Sequence, residues 1–202
     1  MTRAVAAGLL AGLLTGVVAA AQTPSGNLER IESGRLLSAE GVGESYRIRL
    51  LPVDSFPSLP QPIAGWLRRR RCMIPQTFEA QEPENVIQGA FRAPASDDWA
   101  ALCSVGGDTT LYVFFAGQYN TPIPLRSQVD TLWLGHEPGS AIYGSAWGIS
   151  TRSAEDLRDS TGIRPEFLID HDAIEDANLE RSLTLRYFQA DKWQILLSED
   201  FR

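Results

Sequence analysis

The strongest pattern of apolar positions lies in the middle of the chain. Residues 109–116 are rich in β-branched and aromatic residues and are apolar over most of their length, which is typical of a strand covered on both faces. A second apolar run covers residues 98–103, and Gly106 and Gly107 stand between the two runs. Such a pair of runs around a glycine turn predicts a hairpin. Residues 85–91 predict a third strand, so this part of the chain predicts an antiparallel meander.

Alternation and helical spacing predict further elements on both sides of the meander. Residues 46–51 alternate apolar and basic positions, which predicts an amphipathic strand with Arg47 and Arg49 facing water. Apolar positions at helical spacing predict a short helix over 63–71, and Ser153 or Thr151 is a candidate cap for a second helix. The other predicted elements are a short helix within 28–37, strands at 130–134 and 141–149, and a closing hairpin of 182–188 and 192–197.

These elements together predict one α+β domain over residues 46–202. The sheet is expected to be mostly antiparallel, with roughly six strands and two short helices. Residues 22–45 are weakly patterned and contain Gly34, Gly41 and Gly43. This segment is therefore expected to be a flexible N-terminal extension.

The N-terminus carries a targeting pattern. Arg3 precedes an uncharged run of apolar and small residues, which ends in Ala19-Ala20-Ala21. This small-x-small ending is the pattern that signal peptidase reads, so residues 1–21 predict a signal peptide and export to the periplasm or the outside. The alternative is a membrane anchor, but the run is short and rich in Ala and Gly. No membrane association is expected after cleavage.

The net charge of the chain makes some classes of binding partner unfavourable. The formal net charge is −7, which disfavours binding to nucleic acid or to an anionic membrane. The exception is a run of four arginines at 68–71. Arginines there complement the dipole at the end of the predicted helix, which is the simpler interpretation. The alternative is a binding site for a phosphate or an anionic polymer.

The two cysteines predict a structural disulfide. In an exported protein, Cys72 and Cys103 are expected to pair with each other. The alternative is a redox-active or nucleophilic thiol. No Cys-x-x-Cys motif is present and neither cysteine is next to a histidine, so the structural bond is preferred.

An acidic stretch is the candidate cation site. Asp170, Asp172, Glu175 and Asp176 lie close together in a segment predicted to be a loop. Oxygen ligands suit a hard cation, and Ca²⁺ is the candidate. The glycine and glutamate positions of an EF-hand loop are absent. The alternative is an acidic loop that caps the segment after it.

The two histidines are the candidate catalytic residues. His171 lies between Asp170 and Asp172, so it could act as a general base oriented by a carboxylate. His136 and His171 could also share a zinc ion with a carboxylate. However, no Gly-x-Ser-x-Gly or His-Glu-x-x-His motif is present, and no nucleophile is identified. An exposed loop histidine is the simpler interpretation of His171.

Aromatic side chains are a candidate ligand platform. Trp147 lies among glycines and is the candidate exposed ring for a sugar or peptide. Most of the others lie in strand-like runs, which a hydrophobic core explains more simply. The set comprises Trp99, Phe114, Phe115, Trp133, Trp147 and Trp193.

The sequence thus favours an exported, non-enzymatic protein that binds a protein, glycan or small-molecule ligand, with the acidic stretch as a candidate site for Ca²⁺. The alternative is a secreted hydrolase, metal-assisted or not, that uses His171 with neighbouring carboxylates. The surroundings of His171 discriminate between the two. An enzyme requires this histidine to line a pocket with a second reactive group within hydrogen-bond reach.

Overall fold

The computed structural model describes residues 28–36, 43–136, 139–160 and 168–200. The predicted signal peptide at 1–21 lies outside these residues. Within them, no helix has the length and apolar character needed to cross a membrane.

The described residues form two sheets and two α-helices. The helices are α1 (Gln61–Arg69) and α2 (Ala154–Asp159), and a single 3-10 turn spans Val53–Ser55. The first sheet contains β1 (Arg30–Leu36), β2 (Glu44–Pro52), β3 (Met73–Gln76), β4 (Val86–Gly89), β5 (Asp98–Val105), β6 (Asp108–Phe114), β7 (Ile123–Val129), β8 (Leu134–His136) and β9 (Ile142–Ser145). The second contains β10 (Trp147–Arg152), β11 (Ala173–Asn178), β12 (Ser182–Gln189) and β13 (Lys192–Asp200).

Strand pairing is antiparallel except between β2 and β9. The first sheet has the order β7-β6-β5-β3-β2-β9-β8, with β1 also paired to β2 and β4 also paired to β5. The second sheet is a simple meander in the order β10-β11-β12-β13. The predicted meander of the central region and the closing hairpin are both present.

The mostly antiparallel sheet, the two helices and the disulfide are confirmed, but the prediction of roughly six strands in an α+β domain is wrong. The described residues contain strands β1 to β13 in two sheets and are mainly sheet. Short strands such as β3 and β8 cover too few residues to show a clear alternation of apolar and polar positions. Their pairing partners, rather than their own sequence, make them strands.

The central hairpin is covered on both faces, as its sequence predicts. Side chains of β5 and β6 alternate between two hydrophobic clusters. Cys103 and Phe114 pack with Ile63 of α1 on one face. Leu102 and Leu111 pack against the second sheet on the other face. Helix α2 covers the far face of the second sheet through Leu157, so the layers run α1, first sheet, second sheet, α2.

The run at 141–149, predicted as one strand, is two strands in different sheets. Ala146 separates β9 from β10 and is fully buried. Its N–H donates to the Trp133 carbonyl at 2.9 Å, and its carbonyl accepts from Leu179 N–H at 3.0 Å. A Cβ added at Gly144 would lie 2.6 Å from the Phe78 Cβ, so glycine allows the close packing beside this crossing point.

Two other predicted elements differ in the structure. Residues 30–36 form β1 rather than part of a short helix, and they pair with β2 from Arg30↔Leu50 to Leu36↔Glu44. Gly34 lies opposite Tyr46, whose ring covers it. Residues 130–133 form a turn rather than a strand, and Leu132 N–H donates to the Val129 carbonyl across this turn at 3.0 Å.

The disulfide joins the segment after α1 to the central strand β5. Cys72 and Cys103 are 4% and 2% exposed and are 31 positions apart. Replacing both with alanine is expected to lower the free energy of unfolding by roughly 3–4 kcal/mol, because the unfolded chain loses the constraint of the closed loop. Urea unfolding of the variant and of the oxidised protein measures the difference. Equal midpoints for the two would contradict this account, and reduction of the unmutated protein should reproduce the loss.

Candidate functional site

A cleft of about 370 Å³ opens beside His171. It lies between the segment after β4, the segment before β11 and the turn that joins β12 to β13. We call it the His171 cleft. The side chains that define it are Arg92, Asp170, His171, Phe188, Gln189 and Asp191.

The β12–β13 turn shapes the rim of the cleft. Ala190 and Asp191 have φ angles of 53° and 57°. Left-handed conformations at both central residues match the twist of a two-residue hairpin. The turn thereby places the exposed Asp191 at the cleft while Phe188 contributes a half-buried aromatic ring.

His171 is held by hydrogen bonds at both ring nitrogens. Its Nε2 lies 2.8 Å from the Phe188 carbonyl oxygen, and because a carbonyl only accepts, Nε2 is the donor. Its Nδ1 lies 2.5 Å from Asp170 Oδ1 and 2.9 Å from Tyr187 Oη. The ring also stacks on Tyr187 with centroids 4.2 Å apart. These contacts join the segment before β11 to β12.

The same contacts keep Asp170 charged. The hydrogen bond from His171 lowers the pKa of the Asp170 carboxyl below its usual value. Burial raises the pKa of Tyr187, so its hydroxyl stays protonated and lies 3.1 Å from Asp170 Oδ1 as a donor. The Asp170 side chain is still 46% exposed. A fixed carboxylate is therefore presented at the cleft.

The geometry meets only part of the requirement for catalysis by His171. The histidine lines a cleft and has a carboxylate within hydrogen-bond reach. However, a general base needs a ring nitrogen that faces the substrate, and both nitrogens of His171 face the protein. Tyr187, the other reactive group nearby, is fully buried. The expectation of an exposed His171 is wrong, since its side chain is 6% exposed.

The acidic candidates do not converge on one point. Asp172 accepts hydrogen bonds from the backbone N–H groups of Ala90 and Ala154, at 2.9 and 3.2 Å. Asp170 is bound to His171 instead. Asp172 thus ties its own segment to two earlier segments of backbone, at Ala90 and at Ala154, and not to the segment that follows it.

Glu175 and Asp176 lie in strand β11 rather than in a loop. Their side chains therefore point to opposite faces of the second sheet. Glu175 pairs with Arg152, and Asp176 is buried beside Arg186. Across the described residues, no group of three or more His, Cys, Asp or Glu side chains is placed to hold a metal ion.

The remaining candidates lie away from the cleft. His136 is exposed at the end of β8, where its ring contacts Tyr143 at 4.3 Å. Trp147 is 3% exposed, contrary to the expectation of an exposed platform. The chain passes from the first sheet to the second at Ala146, and Trp147 packs between the two sheets.

A larger groove of about 490 Å³ lies between the segment 77–85 and the second sheet. Its charged lining residues are all glutamates, and no aromatic ring faces it. Glu84 accepts a hydrogen bond from Thr77 N–H at 2.7 Å, and Glu175 is paired with Arg152. The His171 cleft combines both signs of charge with an aromatic ring, so it is the better candidate for a specific ligand.

Sequence reasoning identified His171 and Asp170 but missed Arg92, Tyr187 and Asp191. These residues come from other elements, and the only local signal was the hairpin turn that contains Asp191. Comparisons of the chain with protein-family models, curated proteins and solved structures found no match.

Proposed function

We propose that the protein is an exported, non-enzymatic binding protein that takes a small organic ligand in the His171 cleft. The observation that carries the proposal is the pairing of a fixed, ionised Asp170 with a histidine whose two nitrogens are both occupied. With both ring nitrogens engaged by protein groups, His171 offers no free base, while the exposed part of the Asp170 carboxylate is open to a ligand. This arrangement suits recognition better than proton transfer.

Two features support export. The disulfide between Cys72 and Cys103 is of the kind that persists in oxidising compartments. The N-terminal segment ending at Ala21 has the pattern of a signal peptide. Both features agree with a periplasmic or secreted location.

The lining of the cleft defines the class of ligand. Asp170 and Asp191 offer carboxylates, which bind an ammonium or guanidinium group. Arg92 offers donors for a carboxylate or hydroxyl, and Phe188 offers an apolar face. The ligand is therefore an aminated organic molecule that also carries an oxygen acceptor, such as an amino acid or an amino sugar.

Isothermal titration calorimetry with L-arginine, glycine betaine and glucosamine tests this proposal. We expect at least one probe to bind, and we expect Asp191→Asn and Arg92→Ala each to weaken it roughly tenfold or more, because a charge-assisted contact is lost. Glu79→Gln is the matched control, since Glu79 is exposed and lies outside the cleft. Binding that survives both cleft substitutions, or no binding by any probe, would count against the assignment.

The hydrolase alternative rests on the contact between His171 and Asp170 inside a cleft. Assays with p-nitrophenyl acetate and p-nitrophenyl phosphate test it directly. We expect no turnover above the rate without protein. Turnover that disappears in His171→Gln, with folding retained, would favour the enzyme over the binding protein.

A further inference from the structure

A second surface lies at the end of α1, away from the His171 cleft, and is independent of the function proposed there. The helix ends with Arg71 in the left-handed conformation, at φ 60°. Cys72 N–H donates to the Leu67 carbonyl at 3.0 Å, and Arg71 N–H donates to the Arg68 carbonyl at 2.9 Å. This pair of bonds is a Schellman motif, in which glycine is the usual residue at the position of Arg71.

Because the backbone closes the helix, the arginine side chains are not needed to cap it. Arg68 Nε lies 2.8 Å from Asp54 Oδ1. The Arg70 guanidinium lies over the Trp66 ring, 4.4 Å from its centroid. Arg69 and Arg71 are exposed, and their side chains contact no charged partner in the part of the chain that the structure describes. Two guanidinium groups are thus held in place, and two are open to a ligand.

The face of the first sheet beside the arginines carries polar groups. A hollow of about 200 Å³ is lined by Arg70, Asp108, Thr110 and Tyr112, among others. Thr110 Oγ1 lies 2.8 Å from the Ser127 hydroxyl on β7. Asp108 is exposed there. The arginines are therefore bordered by hydroxyl groups and one carboxylate.

We propose that this arginine surface, made of Arg69, Arg70 and Arg71 with Asp108 and Thr110, binds an anionic polysaccharide. Arginine forms bidentate hydrogen bonds with carboxylate and sulfate groups. The Asp108 carboxylate and the Thr110 hydroxyl accept hydrogen bonds from sugar hydroxyls, and the hydroxyl also donates. The surface thus recognises a chain that carries both anionic groups and hydroxyls.

The same residues disfavour the other polyanions. Trp66 is 8% exposed and lies under Arg70, so it offers no face on which a base can stack. The backbone of duplex DNA offers phosphate oxygens, which only accept hydrogen bonds, so Asp108 has no donor there to accept from, whereas a polysaccharide carries hydroxyl donors.

The test uses the mature protein with heparin and polygalacturonate as probes, in calorimetry at low salt. The double variant Arg69→Ala/Arg71→Gly should weaken binding of both at least tenfold. It should keep or raise the thermal midpoint, because glycine adopts the left-handed conformation without strain. The control Arg35→Ala/Arg181→Ala removes the same charge from two other exposed positions and should leave binding within twofold.

Asp108→Asn separates a polysaccharide site from a general polyanion site. If Asp108 accepts hydrogen bonds from sugar hydroxyls, Asp108→Asn should weaken polygalacturonate binding about threefold or more. The same substitution should not weaken the binding of duplex DNA, because it removes a negative charge. The proposal is overturned if neither polysaccharide binds or if Asp108→Asn tightens their binding. It is also overturned if duplex DNA or phosphatidylserine vesicles bind as well as the polysaccharides at equal charge concentration.

Discussion

Replacing Asn85 with alanine is expected to lower the free energy of unfolding by about 4–6 kcal/mol, since three backbone groups lose their partner. Asn85 is 1% exposed. Its Nδ2 donates to the Pro75 carbonyl at 2.7 Å and to the Trp147 carbonyl at 3.0 Å. Its Oδ1 accepts from Ile149 N–H at 2.9 Å. Pro75 belongs to β3 and the other two residues to β10, so one amide side chain connects the two sheets.

The backbone at Asn85 adds to the expected loss. Its φ is 68°, a conformation that asparagine tolerates better than alanine. Asn85→Gly removes the hydrogen bonds without this strain and should be about 1 kcal/mol less damaging than Asn85→Ala. The matched control is Asn120→Ala at an exposed turn position, with an expected change within about 0.5 kcal/mol. Urea unfolding measures all three, and equal stability of Asn85→Ala and the control would contradict the role of the amide.

Replacing Asp176 with alanine is expected to lower the free energy of unfolding by about 3–5 kcal/mol. The change leaves the Arg186 and Arg126 guanidinium groups without their counter-charge. Asp176 is fully buried. Its carboxylate accepts from Arg186 Nε at 2.7 Å and from Trp147 Nε1 at 2.8 Å, and Arg126 Nη1 lies 3.6 Å away. Arg126 comes from β7 of the first sheet and stacks on Trp133 at 3.9 Å. The carboxylate therefore holds arginines from both sheets together.

Asp176→Asn tests whether charge or shape matters at this position. The amide can still accept from Trp147, but it does not balance the arginines, so most of the loss should remain. Asp159→Ala makes the same change as the alanine variant at an exposed position and should alter the free energy of unfolding by less than about 0.5 kcal/mol. Thermal and urea unfolding of the three variants give the comparison. If Asp176→Asn is as stable as the unmutated protein, the ion cluster contributes nothing.

The parts of the fold that could be predicted are those with strong local patterns. The central hairpin has apolar runs around Gly106 and Gly107, and the helix before Cys72 has apolar residues at helical spacing. The disulfide followed from having two cysteines in a chain with an export pattern. The division of 141–149 could not be predicted, because Ala146, where the chain changes sheets, is bonded to Trp133 and Leu179, which lie 13 and 33 positions away.

Within the candidate site, only the contact between residues adjacent in sequence could be predicted. His171 and Asp170 are neighbours in sequence, so their pairing was a natural expectation. That both nitrogens of His171 are occupied depends on Tyr187 and on the Phe188 carbonyl. These groups lie on the next strand of the sheet, where the pairing register alone brings them to the histidine. The register therefore gives both ring nitrogens of this candidate base partners within the protein.

The sequence by itself determined the strongly patterned strands, the first helix, the disulfide and the acidic charge, because hydrophobic periodicity and turn residues act over a few neighbouring positions. The tertiary structure decided which side chains meet. In the structure the side chains of the acidic stretch have separate partners and Trp147 is buried. Asp172 accepts a hydrogen bond from the N–H of Ala90, 82 positions away. Contacts over such distances depend on how two sheets pack, and no local pattern specifies that packing.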